Sequence, residues 1–252
     1  MKHPLRTLLL AVCCGLAAAC TQRQERLKLM SYNIRNGIGI DNIQDIGRIA
    51  RVILREAPDL VALQELDSAT LRVDGRYIPG ELGRMTGMHA TFGRAIGFAG
   101  GSYGIGLLSR TEPLAVRSIP LPGREEARVL LMAEFPDYTV CITHLSLTPE
   151  DRLASLPIIR EATDTCRKPV LLAGDFNTGN AAAVLAGLGG GFRILSDTTR
   201  MTFPSDNPAV RIDYILGRGL PTSATVAESA VDHTATASDH CPLWVTLVWK
   251  RG

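Results

Sequence analysis

The chain has 252 residues, 46% of them hydrophobic and 21% charged. Those values are ordinary for a globular protein and exclude collagen-like, disordered and disulfide-scaffold classes. The formal net charge of +2 suggests a mildly basic chain and a nucleic-acid partner, and the N-terminus removes that suggestion. Met1–Arg6 is short and basic, and Leu8 to Ala19 follows without a charge over twelve residues. A bilayer-spanning helix needs about 20 apolar residues, so length and flanks fit a secretory signal peptide over residues 1–19. That segment carries Lys2 and Arg6 and no acid; without it, 25 basic side chains face 25 acidic ones, and the body of the protein is neutral.

Leu16-Ala17-Ala18-Ala19-Cys20 resembles the lipobox of a bacterial lipoprotein, although Ala17 stands where a leucine is usual. The resemblance implies cleavage before Cys20 and lipid attachment, diacylglycerol and palmitate-type chains, on its thiol. Two or three acyl chains, at about 0.8 kcal/mol per buried methylene, hold a domain firmly on a membrane. The alternative is an ordinary signal peptide cut near Ala19. Residues 20–26 are expected to form a polar tether, and residues 27–250 one domain, monomeric and lipid-anchored in the cell envelope, facing outside the cytoplasm. Cys141, Cys166 and Cys241 remain, without metal-site spacing; Cys141, in an apolar run, is expected to be a small buried residue.

Along that domain Leu27–Tyr32 predicts a strand. Asp41, three residues before Gln44, suggests a helix cap, and Ile43, Ile46, Ile49, Ala50, Ile53 and Leu54 mark one helical face that Pro58 ends. Asp59–Leu63 predicts a strand and Ile78–Thr86 a short helix. Strands follow at His89–Ala95, Gly104–Ser109, Leu114–Ile119, Arg128–Phe135 and Tyr138–Thr143, the last two a hairpin turning at Asp137-Tyr138. Thr148-Pro149-Glu150-Asp151 opens a helix expected to reach Thr165, with Pro157 kinking or restarting it. Val170–Ala173 is a strand, Ala181–Leu188 a helix, and Ile212–Leu216, Ala224–Ala227 and Leu243–Trp249 the last strands. The glycine-rich patches Gly97–Gly106 and Gly187–Gly191 suggest loops.

Several apolar strands end abruptly in polar residues: Leu29–Tyr32 at Asn33, Leu60–Leu63 at Gln64-Glu65, Val140–Thr143 at His144, and Val170–Gly174 at Asp175-Phe176-Asn177. Asp213 sits inside Arg211–Ile215, and Ser238-Asp239-His240 precedes the Leu243 strand. Ligand sites in α/β folds gather at strand ends. Taken singly, each residue is explained as a cap, a turn or a satisfied core histidine. Converging, they place Glu65, Asp175, Asp213 and Asp239 in one cleft, and buried carboxylates need positive partners. Carboxylate and amide oxygens suit Mg²⁺ or Mn²⁺, which keep sites for phosphate oxygens, so the composition of the cleft points to phosphate-ester chemistry.

Together with Tyr103-Gly104-Ile105-Gly106-Leu107-Leu108-Ser109-Arg110, these segments resemble the endonuclease/exonuclease/phosphatase superfamily, whose fold is that of deoxyribonuclease I. The resemblance covers residues 31–240. It implies a four-layer α/β/β/α sandwich, two packed mixed β-sheets flanked by helices, and a metal-dependent phosphoric ester hydrolase. It places Glu65 at the metal with Asn33 and Asp239 beside it, and His240 near the scissile phosphate, held by Asp213. Asp175 and Asn177 position the attacking water, and His144 donates to phosphate. Ser102 stands where some nucleases of the superfamily have a tyrosine, with Tyr103 one residue later. Arg128 offers either a fork donor for a phosphate oxygen or a solvated surface charge. The stretch Thr202–Ser205 to Arg211–Tyr214 resembles a subgroup of bacterial hydrolases and a domain linked to lipid-anchor remodelling. With the anchor, this favours a lipid or small phosphodiester substrate. A nuclease acting on DNA or RNA is the alternative within enzymes, and a non-catalytic binding lipoprotein the alternative outside them.

Overall fold

The computed structural model describes residues 24–250; the expected signal peptide, Cys20 and the start of the expected tether lie outside them. The elements are β1 Gln24–Asn33, α1 Ile46–Glu56, β2 Leu60–Ser68, α2 Ile78–Thr86, β3 His89–Phe98, β4 Gly101–Ser109, β5 Ala115–Leu121, β6 Arg128–Glu134, β7 Thr139–His144, α3 Pro149–Asp164, β8 Val170–Asp175, α4 Ala181–Leu188, β9 Arg193–Ile194, β10 Asp213–Arg218, β11 Thr225–Val231 and β12 Leu243–Lys250. The strands form two six-stranded sheets, ordered β11-β12-β1-β2-β4-β3 and β5-β6-β7-β8-β10-β9. In each, a helical crossover makes a parallel pair, β1 with β2 through α1 and β7 with β8 through α3, because parallel neighbours need a long connection. The other neighbours run antiparallel.

Side chains alternate across each strand, and the two faces of each sheet go to different cores. Leu27, Leu29, Leu60, Ala62, Ile105 and Leu107 of the first sheet meet Leu131, Ala133, Val140, Ile142, Leu171, Ala173 and Ile215 of the second. The first sheet's outer face, with Met30, Tyr32, Val61 and Leu63, packs under Ile46, Ile49 and Ile53 of α1 and Ile78 and Leu82 of α2. The second sheet's outer face, with Leu130, Cys141, Leu172 and Leu216, packs under Leu156 and Ile159 of α3 and Val184 and Leu188 of α4. The layers are α/β/β/α, as the resemblance implied. Cys141 is core as expected, and Cys141, Cys166 and Cys241 are all free thiols.

Local departures from the sequence reading have physical causes. The cap of α1 is Asp45, whose Oδ1 accepts from Arg48 N at 3.2 Å. Asp41 instead binds the Arg48 guanidinium, and Ile43, outside the helix, is exposed. The helix α3 runs unbroken through Pro157; the missing N–H costs a hydrogen bond at the carbonyl of Leu153, a residue on the exposed side. The stretch 97–106 is a hairpin rather than a loop, turning at Ala99-Gly100. Its Gly104 is required by close approach, since a Cβ there would lie 2.1 Å from the Gly93 carbonyl oxygen. Finally, β1 begins at Gln24, opposite Lys250 of β12, so residues 24–26 belong to the sheet rather than to a free tether.

Leu131 lies wholly buried between the sheets. Leu131→Ala is expected to lower unfolding free energy by about 2–5 kcal/mol, the range for a core leucine, measured by urea denaturation. An unchanged midpoint would remove the inter-sheet seam from the role assigned to it.

Candidate active site at the polar end of the inter-sheet seam

Towards one end of the sandwich the inward rows change character. On β1 Leu27 and Leu29 give way to Ser31 and Asn33, on β2 Leu60 and Ala62 to Gln64, on β7 Val140 and Ile142 to His144, and on β8 Leu171 and Ala173 to Asp175. On β10, which runs the other way, Asp213 precedes Ile215. Register brings these ends together: Asn33 pairs with Gln64, His144 with Asp175 and Asp213 with Asp175.

Backbone irregularities aim the remaining groups. The β2–β4 ladder shifts register between Leu63 and Leu66, and within that bulge Glu65 takes φ +58°. A bulge re-aims a side chain, and here it turns Glu65 onto Asn33. Asn177 also sits at positive φ, its N–H donating to Asp175 Oδ1 at 2.8 Å and its Nδ2 to the Leu145 carbonyl at 2.8 Å. Left-handed non-glycine residues cost energy and cluster at functional sites. Gly174 is forced by contact, since a Cβ there would stand 1.9 Å from Thr143 O.

The assembled site centres on Asp175 Oδ2. It accepts from Asn33 Nδ2 at 3.1 Å and lies 3.6 Å from His144 Nε2 and 3.7 Å from His240 Nε2. Burial, then the neighbouring Asp213 charge, pushes the Asp175 carboxyl up to about 7. His240 Nδ1 donates to Asp213 Oδ2 at 3.0 Å. Burial opposes a charged His240, but Asp213, Asp175 and Asp239 outweigh it and raise the imidazole to about 10. His144 goes the other way: burial, then the Arg128 charge, holds it well below the ordinary histidine value.

Some placements differ from expectation. Asn33 Nδ2 also donates to Glu65 Oε1 at 2.9 Å, while its Oδ1 accepts from Arg35 N at 3.1 Å. Asn33 therefore grips the Glu65 carboxylate instead of presenting an oxygen beside it. Asp239 is joined to this group through Arg35, whose Nε lies 3.5 Å from Asp239 Oδ2. Arg128 is buried rather than solvated, facing Glu125, Glu126 and His144. Tyr103, Glu126, Arg128 and His144 line one small cavity, so the tyrosine stands beside the site despite its offset position in the sequence.

Sequence reasoning missed the supports. Thr202 Oγ1 accepts from Ile212 N and Asp213 N, the Phe203 ring stacks against His240 at 4.7 Å, and Ser205 holds the main chain at Ser238 and Asp239. Ser238 Oγ donates to Asn33 O at 2.7 Å. The Thr-Phe-Pro-Ser stretch was visible as a resemblance but gave no sign of which residues it braces.

Asp175, Asp213 and His240 offer ligand atoms within 4.8 Å of one another. A protonated His240 has no lone pair to give, so within this trio it acts as the counter-cation. The wider donor set still fits a hard divalent ion. Four carboxylates share the region, and the buried Asp213 Oδ1 has no hydrogen-bond partner.

An α/β/β/α sandwich with carboxylates and imidazoles gathered at one end of its seam defines a class of site. Residues 30–240 match the endonuclease/exonuclease/phosphatase family, and the chain belongs to it. The family takes in hydrolases of phosphate esters, phosphatases and nucleases among them. A family protein from Bacteroides thetaiotaomicron is 20% identical with a TM-score of 0.73, covering 91% of this chain and 100% of that one. The mannosyl-6-phosphatase of Bacteroides thetaiotaomicron is 19% identical with a TM-score of 0.70, covering 88% and 99%. D. rerio TDP2 complexed with single-strand DNA product is 22% identical with a TM-score of 0.66, covering 88% and 98%. These likenesses show the fold. No curated protein matches the chain.

With EDTA present, the His240 imidazole should stay protonated through neutral pH and titrate near pH 10 in a histidine NMR titration. Its raised value adds stability that is complete below the unfolded value of about 6.5 and is lost as pH rises through 10. In Asp213→Asn the midpoint should fall towards the ordinary value and that stabilisation should shrink. A midpoint that does not move would remove Asp213 as its cause.

Proposed function

We propose that the chain is a metal-dependent hydrolase of phosphate esters, a phosphodiesterase acting in the bacterial cell envelope. The observation that carries this reading is the buried Asp175 carboxyl, whose Oδ2 lies 3.6 Å from His144 Nε2 and 3.7 Å from His240 Nε2, with burial raising it above the ordinary carboxyl range. A general base works best with a pKa near the working pH. Asp175, with Asn177 beside it, holds the attacking water and takes its proton. His240, charged, and His144, through Nε2–H, direct N–H donors at the phosphoryl oxygens, where preorganised donors stabilise developing charge. Glu65 and Asp239 would hold Mg²⁺ or Mn²⁺, with Asn33 fixing the Glu65 carboxylate. Bound there, the ion supplies Lewis-acid polarisation of the phosphoryl group.

The lipobox-like N-terminus supports an envelope lipoprotein, and the path of β1 bears on substrate. That strand enters the domain at Gln24 and ends at Asn33 in the site. At about 3.3 Å per residue, a tether from Cys20 joins the domain roughly 30 Å from the site. A site at the pole away from its anchor suits a small phosphate ester better than a lipid of the anchoring membrane.

The test is a substrate panel of a small bis-ester, a mono-ester, plasmid DNA and sphingomyelin, with Mg²⁺, with Mn²⁺ and with EDTA. Bis-ester hydrolysis that EDTA abolishes is expected; inactivity on all four would overturn the reading, and preference for plasmid DNA would make it a nuclease. Glu65→Ala and His240→Ala should each lower kcat on the order of 10²–10⁴-fold, and undiminished turnover in either would remove that residue from its role. Cys20→Ser should move the protein from the membrane to the soluble fraction on cell fractionation; continued membrane association would refute the anchor.

A further inference from the structure

We infer that Arg128 is a positioning residue for His144: its guanidinium fixes the imidazole as the neutral Nε2–H tautomer. Arg128 opens β6 beside the end of β7 and is only 6% exposed. Its Nη1 lies 3.2 Å from His144 Nδ1 and 2.8 Å from Glu126 Oε1, and its Nη2 lies 3.4 Å from Glu125 Oε1. A guanidinium carries five N–H donors and no acceptor. His144 Nδ1 must therefore accept, and the single ring proton goes to Nε2, the nitrogen that faces Asp175 Oδ2 at 3.6 Å. An imidazole free at Nδ1 would divide between two tautomers, one of which turns a lone pair towards the place where phosphate oxygens collect.

The same group explains how a buried cation is tolerated there. Glu125 and Glu126 neutralise Arg128, and a buried charge without such partners is strongly destabilising. Glu125 also accepts from Ser146 Oγ at 2.7 Å, Leu147 N at 2.7 Å and Thr148 Oγ1 at 3.1 Å. Partial burial opposes its charge, but these donors hold its carboxyl down to about 2. One carboxylate thus ties the segment following His144 to the arginine that sets the tautomer of His144. The terminal nitrogens of Arg128 are turned to these partners, while its buried Nε has no hydrogen-bond partner.

The role in turnover rests on the proposed donation from His144 to phosphate; the tautomer does not. Long-range ¹H–¹⁵N correlation spectra of the labelled protein separate Nδ1–H from Nε2–H imidazoles, and the chain has five histidines, with His144→Gln giving the assignment. His144 should be Nε2–H in the wild type, remain so in Arg128→Lys, which keeps one donor, and become a mixture in Arg128→Met. On the best ester of the panel, Arg128→Met should lose roughly 10–100-fold in kcat, the usual cost of removing a residue that orients a working histidine, with KM barely changed and partial rescue by lysine. An Nδ1–H tautomer in the wild type would overturn the inference, as would an unaltered tautomer in Arg128→Met, or a rise in KM with kcat preserved, which would make Arg128 a substrate contact. If Arg128→Met does not fold, the wild-type and Arg128→Lys spectra decide. A wild type inactive on every ester removes the functional reading while the spectra still decide the tautomer.

Discussion

The seam between the two sheets has to be a core along most of its length and a reaction site at one end, and strand register is what reconciles the two. Side chains alternate with a period of two, so a one-residue slip of any strand would send its inward row to the helix side. A slip of β8 would bury Leu172 in the seam in place of Ala173 and turn Asp175 towards α3. The fully buried Leu29, Leu131, Ile142 and Leu171 thus do more than stabilise. By penalising every slip, they set where Asn33, His144, Asp175 and Asp213 come to rest. Precision at the polar end follows from apolar packing further down the same rows.

Electrostatics then divides labour among groups that the seam has brought together. Two imidazoles stand at nearly the same distance from one oxygen, Asp175 Oδ2, 3.6 Å for His144 and 3.7 Å for His240. Their states differ because the other ring nitrogen faces Arg128 in one and Asp213 in the other. A cation behind one ring and an anion behind the other yield a neutral donor and a charged donor around a carboxyl that burial holds above its ordinary range. Groups displaced from their ordinary titration range in opposite directions are the arrangement acid–base chemistry requires.

Much of this was legible in the sequence, and the exceptions share a cause. Asn33, Glu65, His144, Asp175, Asp213 and His240 announced themselves because each breaks or borders an apolar strand, a contrast any pattern reading detects. What it could not detect was the partner at long range. The choice of Asp45 over Asp41 as helix cap turns on where the Arg48 guanidinium goes. Gly97–Gly106 looked like a loop because glycine that permits close strand approach and glycine that permits a turn are the same letter. Arg128 could be taken for surface charge because nothing local says that Glu125 and Glu126 would fold back over it. The orientation of the Asn33 amide, set by Glu65 and Asp175 on one side and Arg35 N on the other, has no signature in the chain at all.

The matched plan of the two sheets gives these residues a further order. Aligning β12-β1-β2-β4 with β6-β7-β8-β10 puts Asn33 in the place of His144 and Gln64 in the place of Asp175, with Glu65 one residue on, in the bulge. Tyr103, near the start of β4, lies on the strand equivalent to β10 but pairs with Asp67, further along β2 than the level at which Asp213 meets Asp175. Asp239-His240, just before β12, corresponds to Glu126 and Arg128 where β6 begins. Each half thus supplies a polar residue at the first parallel strand end, a carboxylate at the second or, through the bulge, one residue beyond it, and a cation with its acid beside the antiparallel neighbour. The halves differ in which cation can lose a proton. Arginine cannot at any ordinary pH and lies against its neighbour His144, whereas histidine can and faces Asp175 directly. A site of paired halves becomes directional through that one substitution of kind, with the oxygen-rich half at Glu65 and Asp239 suited to a metal ion and the half around Asp175 and His144 suited to water and the proton it gives up.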